Sequence, residues 1–486
     1  MLERVPLESA QAEAADAVSG PELPRRLGVA SLTMLGVGNA IGAGIFVLTG
    51  TAAAQHAGPA IAISFVIAGL VCLLTSLCYA EISALIPSAG GSFAYARVTL
   101  GRYGAWIVGW CMIAEYLIAG STVAVGWSGY ASSLLQQVGW SLPAALSSAP
   151  LEMRDGRIVA SGSLVNLPAL LLVLACTWVL YRGLRDSNFA NHFMVAIKII
   201  VILIVVLVGA AYVSPDNWTP FIPPAGESGR FGWGGVLTAS AIAFYSYTGF
   251  EAMSTAARES REPARDLPRA LLWALGICVL LYVSMALVIT GLAPYSTLDT
   301  ASPISTALLR ASDRLDWLVM LVNLGTVIGL GAPVLISLYG QVRTFYAMAR
   351  AGYMPETFGR VHPRHRTPAA GTLVTGFAAA VVAALLPIDL LGELVSMGIL
   401  IAFASVCLGV IILRRDYPSV QRPFRVPLYP WVPLLGLFSC VGLMVTLPRL
   451  TWTYMVAWLV IGTLIFLVAA WRRRNSRAPR QGWVGT

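Results

Sequence analysis

Gly36-Val-Gly-Asn-Ala-Ile-Gly-Ala-Gly-Ile-Phe46 sets four glycines near the middle of an apolar run at 29–52. A helix crossing lipid must satisfy its own backbone, so clustered glycine in such a run marks a place where it can open, if protein or water covers the freed peptide groups. A second stretch, Ala243-Phe-Tyr-Ser-Tyr-Thr-Gly-Phe-Glu-Ala252, interrupts the run at 234–257 with Gly249 and the acid Glu251. Close packing of small residues is the alternative for glycine alone. A carboxylate at the second interruption favours opening, because charge inside a membrane is expensive.

Both readings need the runs to be membrane spans, and composition says that they are. Of the 486 residues, 57% are apolar and 11% charged, and the mean hydropathy is +0.75. Ordinary soluble domains have roughly 45–50% and about 25%. Apolar runs between charged or Pro/Gly breaks fall at 29–52, 59–86, 103–134, 165–181, 189–213, 234–257, 268–292, 316–348, 369–387, 391–413, 430–448 and 452–471. A span takes about 20 residues, so twelve spans leave no room for a sizeable soluble domain.

The net charge of +9 invites a nucleic-acid reading, which its distribution removes. With both termini inside, alternate loops divide the 32 basic residues into 25 inside and 6 outside, the inward bias of a membrane protein. The remaining one is Lys198, the only lysine of the chain, about ten residues into the fifth run. The seven cysteines all lie in apolar runs with no CxxC pair, which points to packing and away from disulfides or zinc. His56, His192, His362 and His365 show no metal-ligand spacing. No cofactor is expected. The polar stretch Met1–Pro24 lacks a signal-peptide core and reads as a cytoplasmic tail.

The interrupted runs are the first and the sixth, which are corresponding members of two five-span halves, 29–213 and 234–413. Interrupted helices at matching positions of inverted repeats point to a transporter's binding site. The expected organisation is a tail at 1–28, the two halves, two further helices at 430–471 and a cytoplasmic tail at 472–486.

At Gly38–Phe46 (GNAIGAGIF) and Phe250–Leu267 (FEAMSTAARESREPARDL) the chain resembles the amino acid–polyamine–organocation superfamily, and within it bacterial relatives of the cationic amino acid transporters. The likeness continues at Ala80-Glu81 to Pro87, Gly90-Gly91-Ser92, Gly109-Trp110, Glu115-Tyr116, Val195–Lys198, Tyr339–Arg343, Met348–Arg350 and Phe424–Pro427. It implies an all-α membrane protein with the leucine-transporter fold: twelve helices, a 5+5 inverted repeat and helices 1 and 6 broken. It also implies a multi-pass permease of the cytoplasmic membrane that moves amino acids by alternating access.

A broken helix offers amides at one stump and carbonyls at the other, so a zwitterion can be met by backbone alone. The carboxylate is assigned to amides around Gly42, Ala43 and Gly44. The ammonium is assigned to carbonyls near Ala40 and Ile41 and at Tyr245, Ser246 and Thr248. Similar proteins often carry a hydroxyl residue in place of Ala43, so a side-chain contact to the carboxylate is missing here. The resemblance puts Glu115, Glu251 and Ser337 around the substrate's side chain, with an acid at the place of Glu251 and Ser337 as a small residue under a long chain. Two carboxylates favour a cationic substrate such as arginine, lysine or ornithine, or a buried positive partner. A broad range including alanine is the other possibility. Glu115 reads equally as a partner of Lys198.

Lysine can give up its proton when desolvated, whereas arginine effectively cannot. In related sodium-coupled transporters a cation occupies this place, and by resemblance the Lys198 ammonium stands in for it, which makes protons the expected coupling ion. Exchange or uniport without protons is the alternative, and a membrane amino acid sensor or transporter-complex subunit is the alternative from another class. Light-chain subunits of this type carry a cysteine between spans three and four; residues 135–164 have none, so no disulfide-linked partner is expected. A membrane enzyme lacks a Ser/His/Asp order, a metal motif or a phosphate loop.

Overall fold

The computed structural model describes residues 4–16, 28–86, 88, 90–154, 157–183, 188–226, 230–249, 253, 262–362, 365 and 367–476. The chain opens with α1 (Leu7–Asp16), then α2 (Val29–Ala40), which ends at an extended Ile41. Helix resumes at Ala43, where π-helical turns at Gly44–Leu48 and Ala53–Ala57 flank α3 (Thr49–Ala52). The Thr49 hydroxyl donates to the carbonyls of Gly44 (3.1 Å) and Ile45 (3.0 Å), a side chain let into the ladder where the turn is widened. Gly58, at φ +58°, turns the chain into α4 (Ile61–Leu85).

α5 (Gly91–Thr99) leads into α6 (Gly101–Gln137), followed by the short α7 (Ala144–Ser147) and a hairpin of β1 (Leu151–Arg154) and β2 (Arg157–Ala160). The hairpin is a small departure in an otherwise helical structure: its two strands pair antiparallel, Leu151 opposite Ala160 and Arg154 opposite Arg157. Next come α8 (Leu167–Arg182), capped by the Asn166 side chain, α9 (Asn188–Gly209) and α10 (Gly232–Phe244). α11 (Pro263–Leu292), α12 (Pro303–Ala311), α13 (Asp316–Arg350), α14 (Ala369–Leu385), α15 (Ile388–Asp416), α16 (Trp431–Thr446) and α17 (Arg449–Ser476) complete the chain. Prolines at 303, 368, 387 and 430 stand at or just before helix starts, where a missing N–H costs nothing.

Among the described residues, seven helical runs are long and apolar enough to cross a membrane: Gly44–Leu85, Gly101–Gln137, Met194–Tyr212, Arg265–Leu292, Asp313–Arg350, Ile388–Asp416 and Arg449–Trp471. Val29–Ala40, Leu167–Arg182, Ala369–Leu385 and Trp431–Thr446 are shorter apolar helices. Burial separates inner from peripheral elements. The apolar window of Gly101–Gln137 is 78% buried and that of Arg449–Trp471 only 17%, so α6 runs through the centre and α17 offers most of its surface to lipid. α6 packs on α13, α14 and α15, while α4 packs on α10, α11 and α15. α2 lies between α11 and α9. A Trp106–Trp110–Trp458 stack, with centroids 5.6 and 4.4 Å apart, fastens α17 to α6.

Candidate functional site

The two glycine-marked stretches meet. α2 stops at Ile41, whose ψ of 99° takes it out of the helix, and the restart at Ala43 turns the first-turn amides of 43 and 44 back toward the gap. α10 likewise stops at Phe244, tightens into a 3₁₀ turn at Tyr245–Tyr247, and becomes extended at Thr248 (ψ 154°). Gly249 follows at φ +117°, a conformation that suits glycine. A Cβ on Gly249 would stand 2.8 Å from the Asn39 carbonyl carbon and 3.0 Å from the Ala40 nitrogen. One on Gly44 would stand 2.5 Å from Ser246 Cβ and 2.6 Å from its Cα. The interruptions therefore abut at two points, and only glycine permits either. Gly42 is buried, yet a Cβ there would meet nothing within 4 Å, so open space lies beside the gap.

The peptide groups around the gap are held from neighbouring helices. Tyr130 of α6 donates to the Phe46 carbonyl (2.5 Å), and Tyr282 of α11 to that of Ser246 (2.8 Å). Tyr247 donates to Phe65 of α4 (2.8 Å). Sequence reading missed Tyr130 and Tyr282; a tyrosine deep in an apolar run must find an acceptor, and that was the available signal. The Tyr245 carbonyl accepts from Thr248, through its amide (3.1 Å) and its hydroxyl (2.7 Å). Two of the carbonyls named for an ammonium thus already carry protein donors. The Ser246 hydroxyl, in contrast, is buried with no partner among the described residues, and it faces Gly44.

Lys198 reaches the gap from α9. Its Nζ donates to the carbonyls of Gly38 (2.8 Å) and Ile41 (2.6 Å) at the end of α2. Glycine makes the slot: a Cβ on Gly329 of α13 would stand 2.6 Å from Lys198 Cγ, and one on Gly38 2.6 Å from Val195 of α9. The Ile41 carbonyl named for the substrate's ammonium is thereby occupied by the protein's own. Glu115 lies elsewhere, on the face of α6 toward α15, where a Cβ on Gly398 would stand 3.4 Å from its Cβ, and within electrostatic reach of Tyr245. Ala40 and Ala43 are buried at the gap. Ser337 is half-buried on α13 and packs against Gly120 of α6. Glu251 lies outside the described residues.

Comparison with known proteins gives a consistent result. An amino acid permease family model matches residues 27–470. The chain is 40% identical over 468 residues to the methylthioribose transporter of Bacillus subtilis (strain 168), covering 96% of this chain and 97% of that one. It is 40% identical over 463 residues to the branched-chain amino acid permease BcaP of the same organism, covering 95% and 96%. It is 35% identical over 401 residues to the vacuolar cationic amino acid transporter 4 of Arabidopsis thaliana, covering 82% of this chain and 65% of that one.

Proposed function

Since the chain belongs to the amino acid permease family, we propose that it takes one zwitterionic amino acid at a time into the gap between α2–α3 and α10 and carries it across the membrane by alternating access. The observation that carries this is the contact of Gly44 with Ser246 beside the open space at Gly42. The amides of 42–44 take the carboxylate at a helix N-terminus, and the unpartnered Ser246 hydroxyl supplies the donor that Ala43 lacks. The ammonium binds opposite, on the carbonyls of Ala40 and Thr248. Twelve spans in the leucine-transporter arrangement, both ends in the cytoplasm, are the topology that fits: two of the twelve runs are cut by the gaps, and others form helices just under span length.

Lys198 is the coupling residue. Charged, it neutralises the carbonyl end of α2 and holds the gap's shape; neutral, it releases Ile41. Proton uptake and release at one nitrogen therefore alters the floor of the substrate site, and protons are the coupling ion. A neutral, branched side chain is the first expectation for the substrate, because a relative named a branched-chain amino acid permease matches over nearly the whole chain and a zwitterion adds no net charge. A cationic side chain is the second reading, favoured by the buried carboxylate of Glu115 beside Tyr245. Counterflow in proteoliposomes tests both. Labelled leucine exchanging while arginine does not supports the first, arginine exchange abolished by Glu115→Gln supports the second, and counterflow by no amino acid rejects both.

A further inference from the structure

At the far end of α3 from the gap, toward the face opposite both termini, a second set of polar groups is buried where neither the substrate nor Lys198 uses it. A small cavity lies between α3, the Ala53–Ala57 turn, α10 and α15, with Gln55, His56, Asp389 and Glu393 in its wall. Asp389 and Glu393 stand one turn apart at the start of α15 and face the same way. Glu393 is 1% exposed; one oxygen accepts from the Thr451 hydroxyl of α17, and the other lies 3.8 Å from His56 Nε2. Gln55 donates to Asp299 of the α11–α12 loop (3.0 Å) and lies beside Asp389 as well. Asp389 Oδ1 is buried with no hydrogen-bond partner among the described residues.

Among the described residues, three carboxylates, Asp299, Asp389 and Glu393, converge here, and Arg230, whose Nε donates to the Gln55 carbonyl (3.0 Å), lies within electrostatic reach of Asp299 and Asp389. Glu152 of β1 lies within electrostatic reach of Asp299, and Tyr295 packs nearby. Burial pushes the Asp299 carboxyl up from the ordinary range, opposed by Gln55 and Arg230. Two carboxylates on one amide in a dry site cannot both ionise cheaply, so one keeps a proton.

We propose that this pocket is a proton-binding site on the outer side of the permease, distinct from Lys198, where a proton from the water phase is held by the Asp299–Asp389 pair. Protonation removes the repulsion between α15 and the α11–α12 loop, so the outer half of the pathway closes when the pocket is loaded and opens when it empties. The pathway part rests on the proposed transport function; the protonation itself does not.

Infrared difference spectroscopy of the reconstituted full chain, stepped between pH 8 and pH 5 without substrate, tests the site alone. The parent is expected to show a buried protonated-carboxyl band, reduced by roughly half or more in Asp389→Asn and altered in Glu393→Gln. Asp299→Asn keeps an acceptor for Gln55 and serves if the α15 variants fold poorly. A band unchanged in all three variants overturns the proposal. Leucine counterflow at outer pH 5 and pH 8 adds the pathway: the parent's outer-side KM changes with pH, and that dependence is reduced in Asp389→Asn. If the band shifts but the KM dependence stays, the site binds protons and its gating role is overturned.

Discussion

Lys198 shows how far one residue can be read. Its identity as the only lysine, placed within an apolar run, was visible in the sequence; its two acceptors were not, because they come from a helix end some 160 residues away. Lys198→Met, which leaves the Gly38 and Ile41 carbonyls without this donor, should lower uptake as well, and the uptake that remains should no longer rise under an inwardly directed proton gradient. Uptake that still follows the gradient rejects the coupling role. Gly329→Ala probes the same slot from the far side, since a Cβ there meets Lys198 Cγ at 2.6 Å. We expect it to lower uptake at least about tenfold, as a displaced lysine leaves two buried carbonyls unpaired at roughly 1–3 kcal/mol each. Ser246 was named only for its carbonyl, and the structure turns attention to its hydroxyl. Glu251, the acid that first drew notice to the second gap, carries no weight in the geometry because it is outside the described residues.

For whole elements, the glycine pattern marked the interrupted helices, and the break after Ala40 falls within the quoted stretch. Period and composition could not reveal that the two interruptions would touch, since contact between distant segments is set by packing. Gly249→Ala tests that contact: at φ +117°, with backbone at 2.8 Å, an added methyl forces the gaps apart. Amino acid binding should fall by at least about tenfold, with helix content by circular dichroism unchanged. Retained binding would mean that the abutment is incidental. Unforeseen elements were the short ones. α5, α12 and the β1–β2 hairpin lie in segments read as loops, although Asp155-Gly156 was a legible turn signal. The carboxylates at 389 and 393 share one helix face at i and i+4, a pattern that a charge count by loop does not register.

Across the whole molecule, the apolar composition and the inward charge bias made a helical membrane protein plain from the sequence. The ties that close its inner end were only partly so. Glu81 is 2% exposed and accepts from Arg414 through both oxygens (2.9 and 2.6 Å). It also accepts from the Val426 amide (2.6 Å) and lies 3.2 Å from Arg422 Nε. Breaking such a buried pair costs about 3–5 kcal/mol, so Glu81→Gln should lower the unfolding temperature by several degrees. An unchanged value would mean that the pair is not what joins α4 to α15. α1 docks where a free tail was expected: Leu7 is 2% exposed, Val5 bonds the Arg97 carbonyl (3.2 Å), and Arg4 pairs with Asp416.

The site reads both ends of a zwitterion, and equilibrium binding to the purified parent protein measures that most directly. Leucine and arginine would be titrated beside leucine lacking its carboxylate, leucine lacking its amine, and methylthioribose. At least one amino acid should bind, with either truncated leucine analogue weaker than leucine by about a hundredfold or more, because each leaves one end of the gap unpaired. A truncated analogue that binds as tightly as leucine, or methylthioribose binding where no amino acid does, would contradict the cradle.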